Sequence, residues 1–410
     1  MKYWRLILFT LIALIITDSF RYISWVGALN ISNSTYITTF LNYLSLCVMI
    51  FIAYKSSWDK DVSESIINFY RFWLFWNIFG FIYGLFVAKD YFDWKFLFLS
   101  SFSFSLIPLA FFFGKNIPIA LNIFRFVLKY LFPFGFLLIP LTFITNEELY
   151  SRIMIPVSLF ILFIPYLKTK WKILIVLVML ISILMVIDFR TNIIKIGVSL
   201  GLLSLYYFKD FIRQYWLRAI HILMFITPLT LFTLGIWGNY DIFANLAEKE
   251  NYTITDDKGT DENLFSDTRS FLYSEVLSTL KGNGNWLIGE SSAGSYHTDW
   301  FYDEGGAIND KRYESEVGIL NILLRNGIVG VIIYSLLLFT VSYIAINRSN
   351  NQLAKILGLY IAFHWALSFI EEYTQYDLNF YFLWLVIGLV STSSFRSIND
   401  RAISYFLRRI

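Results

Sequence analysis

The sequence predicts an all-α polytopic membrane protein with about twelve transmembrane helices and one large external loop that contains short helices. Three observations lead there. Hydrophobic residues make up 57% of the 410 residues and aromatic ones 20%, while charged ones reach only 15%, against roughly 25% charged in an average soluble domain. Apolar runs of the length that crosses a bilayer recur along most of the chain. Only the stretch 239–315 is long, polar and acidic. The chain therefore divides into nine spans over 1–238, an external loop over 239–315, and an amphipathic helix, three spans and a basic tail over 316–410.

Taken in order, the apolar runs place spans near 5–24, 36–54, 66–88, 94–113, 120–142, 152–167, 171–188, 191–208, 217–238, 328–347, 353–370 and 378–394. The first begins basic and then apolar like a signal sequence. No small-residue cleavage site follows it, so it counts as a span, although Asp18 and Arg21 interrupt it. The fifth carries Arg125 and Lys129 near one end, where long side chains can snorkel to the interface.

Basic residues gather after alternate spans: Lys168, Lys170 and Lys172, then Lys209, Arg213 and Arg218, then Arg348 and Lys355, and finally Arg396, Arg401, Arg408 and Arg409. The positive-inside rule makes those sides cytoplasmic, and an even number of spans puts both termini there. The connections 146–151, 188–191, 239–315 and 371–377 then open outward. The long one holds fifteen acidic and six basic residues, a net charge of −9, as expected of a translocated segment. It has no counterpart in the first half, which argues against the inverted repeats of many transporters. The overall charge of +3 is too small to argue for nucleic acid, and the lone Cys47 excludes an intramolecular disulfide.

The stretch 266–330 departs from membrane-span composition. From Thr268 to Lys281 the apolar positions Phe271, Leu272, Val276, Leu277 and Leu280 share one helical stripe, capped by Ser266 or Asp267 and stopped at Gly282. Arg269 falls in the first turn, where free backbone N–H groups and the helix dipole already favour an anion. A second amphipathic helix begins near Glu316, turns Ile319, Leu320, Leu323 and Leu324 inward, and breaks at Gly327.

Candidate chemistry follows from these placements. Arg190 lies in a sharp turn between two apolar spans, where it anchors the interface, pairs with Asp188, or binds a pyrophosphate with its planar fork. Arg269 is the second diphosphate candidate. Glu314 and Glu316 are adjacent carboxylates that can raise one another's pKa and act as a general base, although a helix start also favours acids through its dipole. His297, the only histidine of the loop, is another candidate base. Trp286, Tyr296 and Trp300 have faces suited to sugar rings, and equally suit a membrane-interface belt. Asp299, Asp303 and Glu304 match no calcium loop, and His297 lacks partners for zinc, so no metal or other cofactor is expected.

D-F-R-T at 188–191, D-T-R-S-F-L-Y at 267–273 followed by W-L-I-G-E-S-S-A-G at 286–294, and E-S-E-V-G-I-L-N-I-L-L-R-N-G-I-V-G at 314–330 occur in this order. Together they resemble the bacterial O-antigen polymerase and ligase superfamily, membrane enzymes that act on undecaprenyl-diphosphate-linked glycans. In that family an Arg-Ser/Thr step opens a span, an Arg-Thr helix precedes a Gly-rich turn, and an amphipathic helix ends at a Gly-Ile-x-Gly break. The resemblance covers about half the chain, with the first five spans matched in hydropathy alone. Ligases usually bear a His at the helix start, where this chain has Glu316, eleven residues before Gly327; that departure favours a polymerase.

The resemblance implies a GT-C-like glycosyltransferase of the bacterial inner membrane. It would act without metal at the outer face, with an undecaprenyl-diphosphate-linked oligosaccharide as substrate, amid membrane lipid and alongside a chain-length regulator and a flippase. Arg190 and Arg269 would hold the diphosphate, and Glu316 or Glu314 would take the acceptor proton. The alternatives are a ligase that attaches glycan to a lipid A core or a protein, and a lipid-linked oligosaccharide flippase.

Overall fold

A computed structural model describes residues 3–23, 34–56, 61–142, 148–185, 190–236, 253–255, 261–263, 270–298, 311–372 and 374–408. In chain order the helices are α1 Trp4–Ile23, α2 Ser34–Lys55, α3 Glu64–Val87, α4 Tyr91–Gly114, α5 Ile117–Pro140, α6 Glu148–Met154, α7 Val157–Ile161 and α8 Thr169–Leu184. They continue with α9 Arg190–Tyr207, α10 Gln214–Ile236, α11 Ser270–Asn283, α12 Gly318–Asn347, α13 Gln352–Leu367, α14 Leu378–Ser391, α15 Ser393–Ser397 and α16 Asp400–Arg408. Two short antiparallel pairs, β1 Thr253–Thr255 with β2 Asp261–Asn263 and β3 Tyr296–His297 with β4 Lys311–Arg312, accompany α11 in the long loop. The loop thus holds strands as well as the expected helix, whose expected start at Thr268 and caps Ser266 and Asp267 lie outside the described residues.

The fold is that of an all-α membrane protein. Among the described residues six helical stretches are long and apolar enough to cross a bilayer: Tyr36–Lys55, Glu64–Val87, Tyr91–Gly114, Ile117–Pro140, Gln214–Thr233 and Gly318–Asn347. One expected span is divided. Pro156 and Pro165 divide 152–167 into α6, α7 and a 3-10 turn at Ile164–Tyr166, because proline removes a donor and crowds the preceding turn.

Helix α14 is the hub. All 14 of its residues are buried, the behaviour of a helix that is apolar all round. It crosses α4 at backbone contact, since a Cβ on Gly114 would sit 1.9 Å from the Leu385 carbonyl and one on Gly388 2.2 Å from that of Phe111. Small residues at such crossings supply the van der Waals contact that replaces the hydrophobic drive inside lipid. Aromatic rings fill the rest of this core: Tyr70 stacks on Phe111 at 4.3 Å, and Trp73, Trp365 and Trp384 are fully buried.

Polar contacts gather at the two ends of the bundle. At one, the Leu378 N–H donates to Asp18 Oδ2 (3.2 Å), Thr17 Oγ1 to Asn42 Oδ1 (2.9 Å), and Lys195 pairs with Glu371 at 2.7 Å. At the other, Tyr166 donates to Asp400 (2.7 Å), Ser394 N–H to Asp61 (2.9 Å) and Gln214 to the Ile346 carbonyl (2.6 Å).

The break at Gly327 forms as the sequence predicts, and the structure supplies its reason. Gly327 has φ 63° and interrupts α12, so the flanking turns lose their own partners. The turn Trp286–Glu290 threads into the gap: Ile328 N–H donates to the Trp286 carbonyl (2.9 Å), Val329 N–H to that of Leu287 (3.3 Å), and Glu290 N–H to that of Leu324 (2.7 Å). The fit requires two glycines, because a Cβ on Gly327 would lie 2.2 Å from the Leu287 carbonyl and one on Gly289 (φ 78°) 2.6 Å from that of Leu324.

Gly327→Ala and Gly289→Ala are each expected to cost more than about 2 kcal/mol, from positive φ and backbone overlap together. Gly197→Ala, in a helix with nothing within 4 Å, should instead be neutral or stabilising by about 0.5–1 kcal/mol. Thermal unfolding in detergent compares the three, and equal effects would refute the joint. For the buried Lys195–Glu371 pair, Lys195→Met alone should destabilise by about 3–5 kcal/mol, and adding Glu371→Leu should restore most of the loss.

Candidate functional site

The first segment of α12, from Gly318 to the break, meets the turn that follows α13 at one end of the bundle. Its first amides are not capped by a side chain. Gly318 N–H donates to the Glu371 carbonyl (3.0 Å) and Ile319 N–H to that of Ser368 (2.9 Å), so carbonyls of the turn that follows α13 close the N-terminus of α12. The preceding strand is tied down by Asn321, whose Oδ1 accepts from Ser315 N–H (2.7 Å) and whose Nδ2 donates to the Ser315 carbonyl (2.8 Å).

Four residues further along the helix, Arg325 occupies the same face. It is 1% exposed, and its guanidinium carbon lies 5.2 Å and 5.0 Å from the ring centroids of Phe96 and Phe104. Arg325 Nη2 donates to Glu314 Oε1 at 2.6 Å, and Ser100 donates to the same oxygen. A π-helical turn at Leu97–Ser101 in α4 brings Ser100 to this point; such turns widen a helix locally and often lie at functional sites.

Glu372 completes the cluster. Half-buried, it accepts from Asn321 Nδ2 and from both the N–H and the hydroxyl of Thr374. Burial, and then the neighbouring Glu314 carboxylate, push its carboxyl up to about 8, while the Thr374 bonds and the Arg325 charge pull the other way. The arrangement holds one carboxylate locked by a guanidinium beside a second carboxyl that exchanges its proton near neutral pH. That is the electrostatic pattern of a general acid or base.

The sequence-predicted residues distribute unevenly. Glu314 lies in the cluster. Glu316 is exposed and pairs with Arg312 at 3.1 Å, so the two glutamates take different partners and do not act on each other as a pair. The carboxylate coupled to Glu314 is Glu372, 58 residues away in sequence. His297 is exposed on β3 opposite Lys311, and its N–H donates to Thr279 Oγ1 (3.2 Å).

Tyr296 is buried beside Arg312, with its hydroxyl pKa raised by burial. Half-buried Trp286 contributes its carbonyl to the helix joint. Arg190 is the first residue of α9; its side chain, Arg269 and Trp300 lie outside the described residues, as do Asp299, Asp303 and Glu304.

Sequence reasoning missed Arg325, Glu372 and Asn321. For two of them a signal existed: Asn321 and Arg325, spaced i, i+4, form a polar stripe in a helix otherwise apolar over Gly318–Leu324. Glu372 had none, because nothing local separates it from Glu371, which turns the other way to Lys195.

No family model matches the chain, and neither a curated protein nor a solved structure matches it. The chemistry of the site accordingly rests on its own groups.

Infrared difference spectra of purified protein are expected to show a protonated carboxyl that titrates near pH 8 and is missing in Glu372→Gln. Glu314→Gln should lower that midpoint by removing a like charge. The folded carboxyl keeps its proton up to about 8, against 4.5 ordinarily. In that window the folded state binds the extra proton, so this contribution to stability is complete below 4.5 and lost as pH rises through about 8. Denaturation midpoints should follow that slope, and Glu372→Gln should flatten it; an ordinary carboxylate midpoint would refute the coupling.

Proposed function

We propose that the chain is a polysaccharide polymerase, acting on O-antigen, capsule or exopolysaccharide units. It transfers a glycan from undecaprenyl diphosphate to a lipid-linked repeat unit at the outer face of the inner membrane. The observation that carries this reading is the proton-accepting Glu372 beside the Arg325-locked Glu314, at the bundle end that also bears Trp286, Tyr296 and His297. A hydroxyl acceptor needs such a base, and a sugar needs aromatic and hydroxyl-bearing neighbours.

In the proposed reaction the acceptor oxygen attacks the anomeric carbon. The bond from that carbon to the phosphate oxygen breaks, undecaprenyl diphosphate leaves with the electron pair, and the acceptor proton passes to Glu372 in its ionised form. Glu314 is held in place by Arg325 and Ser100. Arg190 and Arg269 retain the role of stabilising the departing diphosphate.

One further feature supports a multi-pass arrangement of about twelve crossings. The end with Asp61, Tyr166, Asn347 and Asp400 also carries Lys209, Arg213, Arg396 and Arg401, so the positive-inside rule assigns it to the cytoplasm together with both termini.

Purified enzyme given lipid-linked repeat units is expected to lose chain extension by about 100-fold or more in Glu372→Gln, with Glu316→Gln much less affected. Extension by Glu372→Gln at the wild-type rate would remove Glu372 from the role of base. A deletion strain tests the reaction class itself: single repeat units on the acceptor support a polymerase. Free lipid-linked long chains would identify a ligase instead, and lipid-linked single units accumulating inside would identify a flippase.

A further inference from the structure

The opposite end of the bundle carries a surface that the proposed reaction does not use. Helix α16 docks by Ile403 and Leu407, which are 4% and 1% exposed. It is fixed at its start by Asp400, whose carboxylate accepts from Tyr166 (2.7 Å) and from Gln352 N–H (3.0 Å). Asn399 adds a cap, its Oδ1 accepting from Ala402 N–H at 2.8 Å. With its acid turned inward, the helix presents Arg401, Tyr405, Phe406 and Arg408 outward; the two rings are 56% and 48% exposed.

This helix is not apolar enough to be a span, so its exposed rings are not simply the lipid-facing side of a crossing. The surface continues onto the turn between α9 and α10. Arg408 lies within electrostatic reach of Tyr206, Lys209 sits 5.2 Å over the same ring, and Phe211 is 84% exposed. From there the exposed apolar side of α10 carries on through Leu223 and Ile226, 60% and 51% exposed.

The geometry points to α16 and the α9–α10 turn as a binding surface for anionic phospholipid head groups. Guanidinium and ammonium groups meet the phosphates, while Tyr405, Phe406 and Phe211 enter the acyl boundary. Rings and cations on one face of a docked amphipathic helix, continuous with a lipid-facing helix, match the charge and the layering of a bilayer surface. A protein partner would need no such continuity with the sides of the spans. The inference does not depend on the proposed reaction.

The test is native mass spectrometry of the full chain in zwitterionic detergent, titrated with phosphatidylglycerol or with phosphatidylcholine. Phosphatidylglycerol should be retained more strongly, and its retention should fall with salt. Each arginine replaced should weaken it about fivefold, so Arg401→Gln with Arg408→Gln should weaken it about 25-fold and leave phosphatidylcholine unchanged. Lys55→Gln, a basic residue at the end of α2, should have no effect. Equal retention of the two lipids, unchanged binding by the double variant, or an equal loss in Lys55→Gln would each overturn the inference.

Discussion

Inside a bilayer a helix can break only where something else takes its hydrogen bonds, and the joint between Gly327 and the turn Trp286–Glu290 meets that constraint. The carbonyls of Trp286 and Leu287 cap the second segment of α12, and the N–H of Glu290 caps the first. Two consequences follow from one set of backbone bonds. The first segment of α12 presents Asn321 and Arg325 at the bundle end. The long loop is also fastened to the transmembrane helices there, through Ser292 N–H to the Gly80 carbonyl (3.2 Å) as well. Glu314 of that loop therefore lies against the buried Arg325 and not away in solvent.

Charge compensation imposes the second constraint. Arg325 and Lys195 are both buried, and a buried cation is tolerable only with a close partner. One short turn after α13 serves both regions, because Glu371 faces Lys195 while Glu372 faces Asn321 and the Arg325–Glu314 pair. The carbonyls of Ser368 and Glu371 close the N-terminus of α12 at the same time. Glu371 faces a cation and stays ionised. Glu372 is withdrawn from water and faces a carboxylate already satisfied by its own arginine, so its proton is held more tightly. A raised carboxyl pKa and a fixed neighbouring carboxylate thus arise from how one turn is shared.

The two ends of the molecule differ in kind. One gathers buried acids, a guanidinium and half-buried aromatic groups, which suits chemistry on a polar substrate delivered from the membrane. The other carries exposed cations and rings on a docked helix, which suits attachment to a surface.

Much of this was legible in the sequence because it depends on local pattern. Hydropathy marked the apolar helices and Gly327 marked the break, while α11 runs through the expected stop at Gly282 to Asn283 and turns at Gly284 (φ 72°). Each reflects a backbone or burial preference that a few consecutive residues settle. The pairing of Glu314 and Glu316 was misleading for the same reason: neighbours in sequence suggested a coupled pair, yet Arg312 and Arg325 draw them apart. Only the tertiary structure decided that Glu372 couples to Glu314 and that the Trp286–Glu290 turn fills the gap at Gly327. Those are contacts between segments tens of residues apart in the chain, and the energy of a buried charge or an open backbone amide depends on what folding brings beside it.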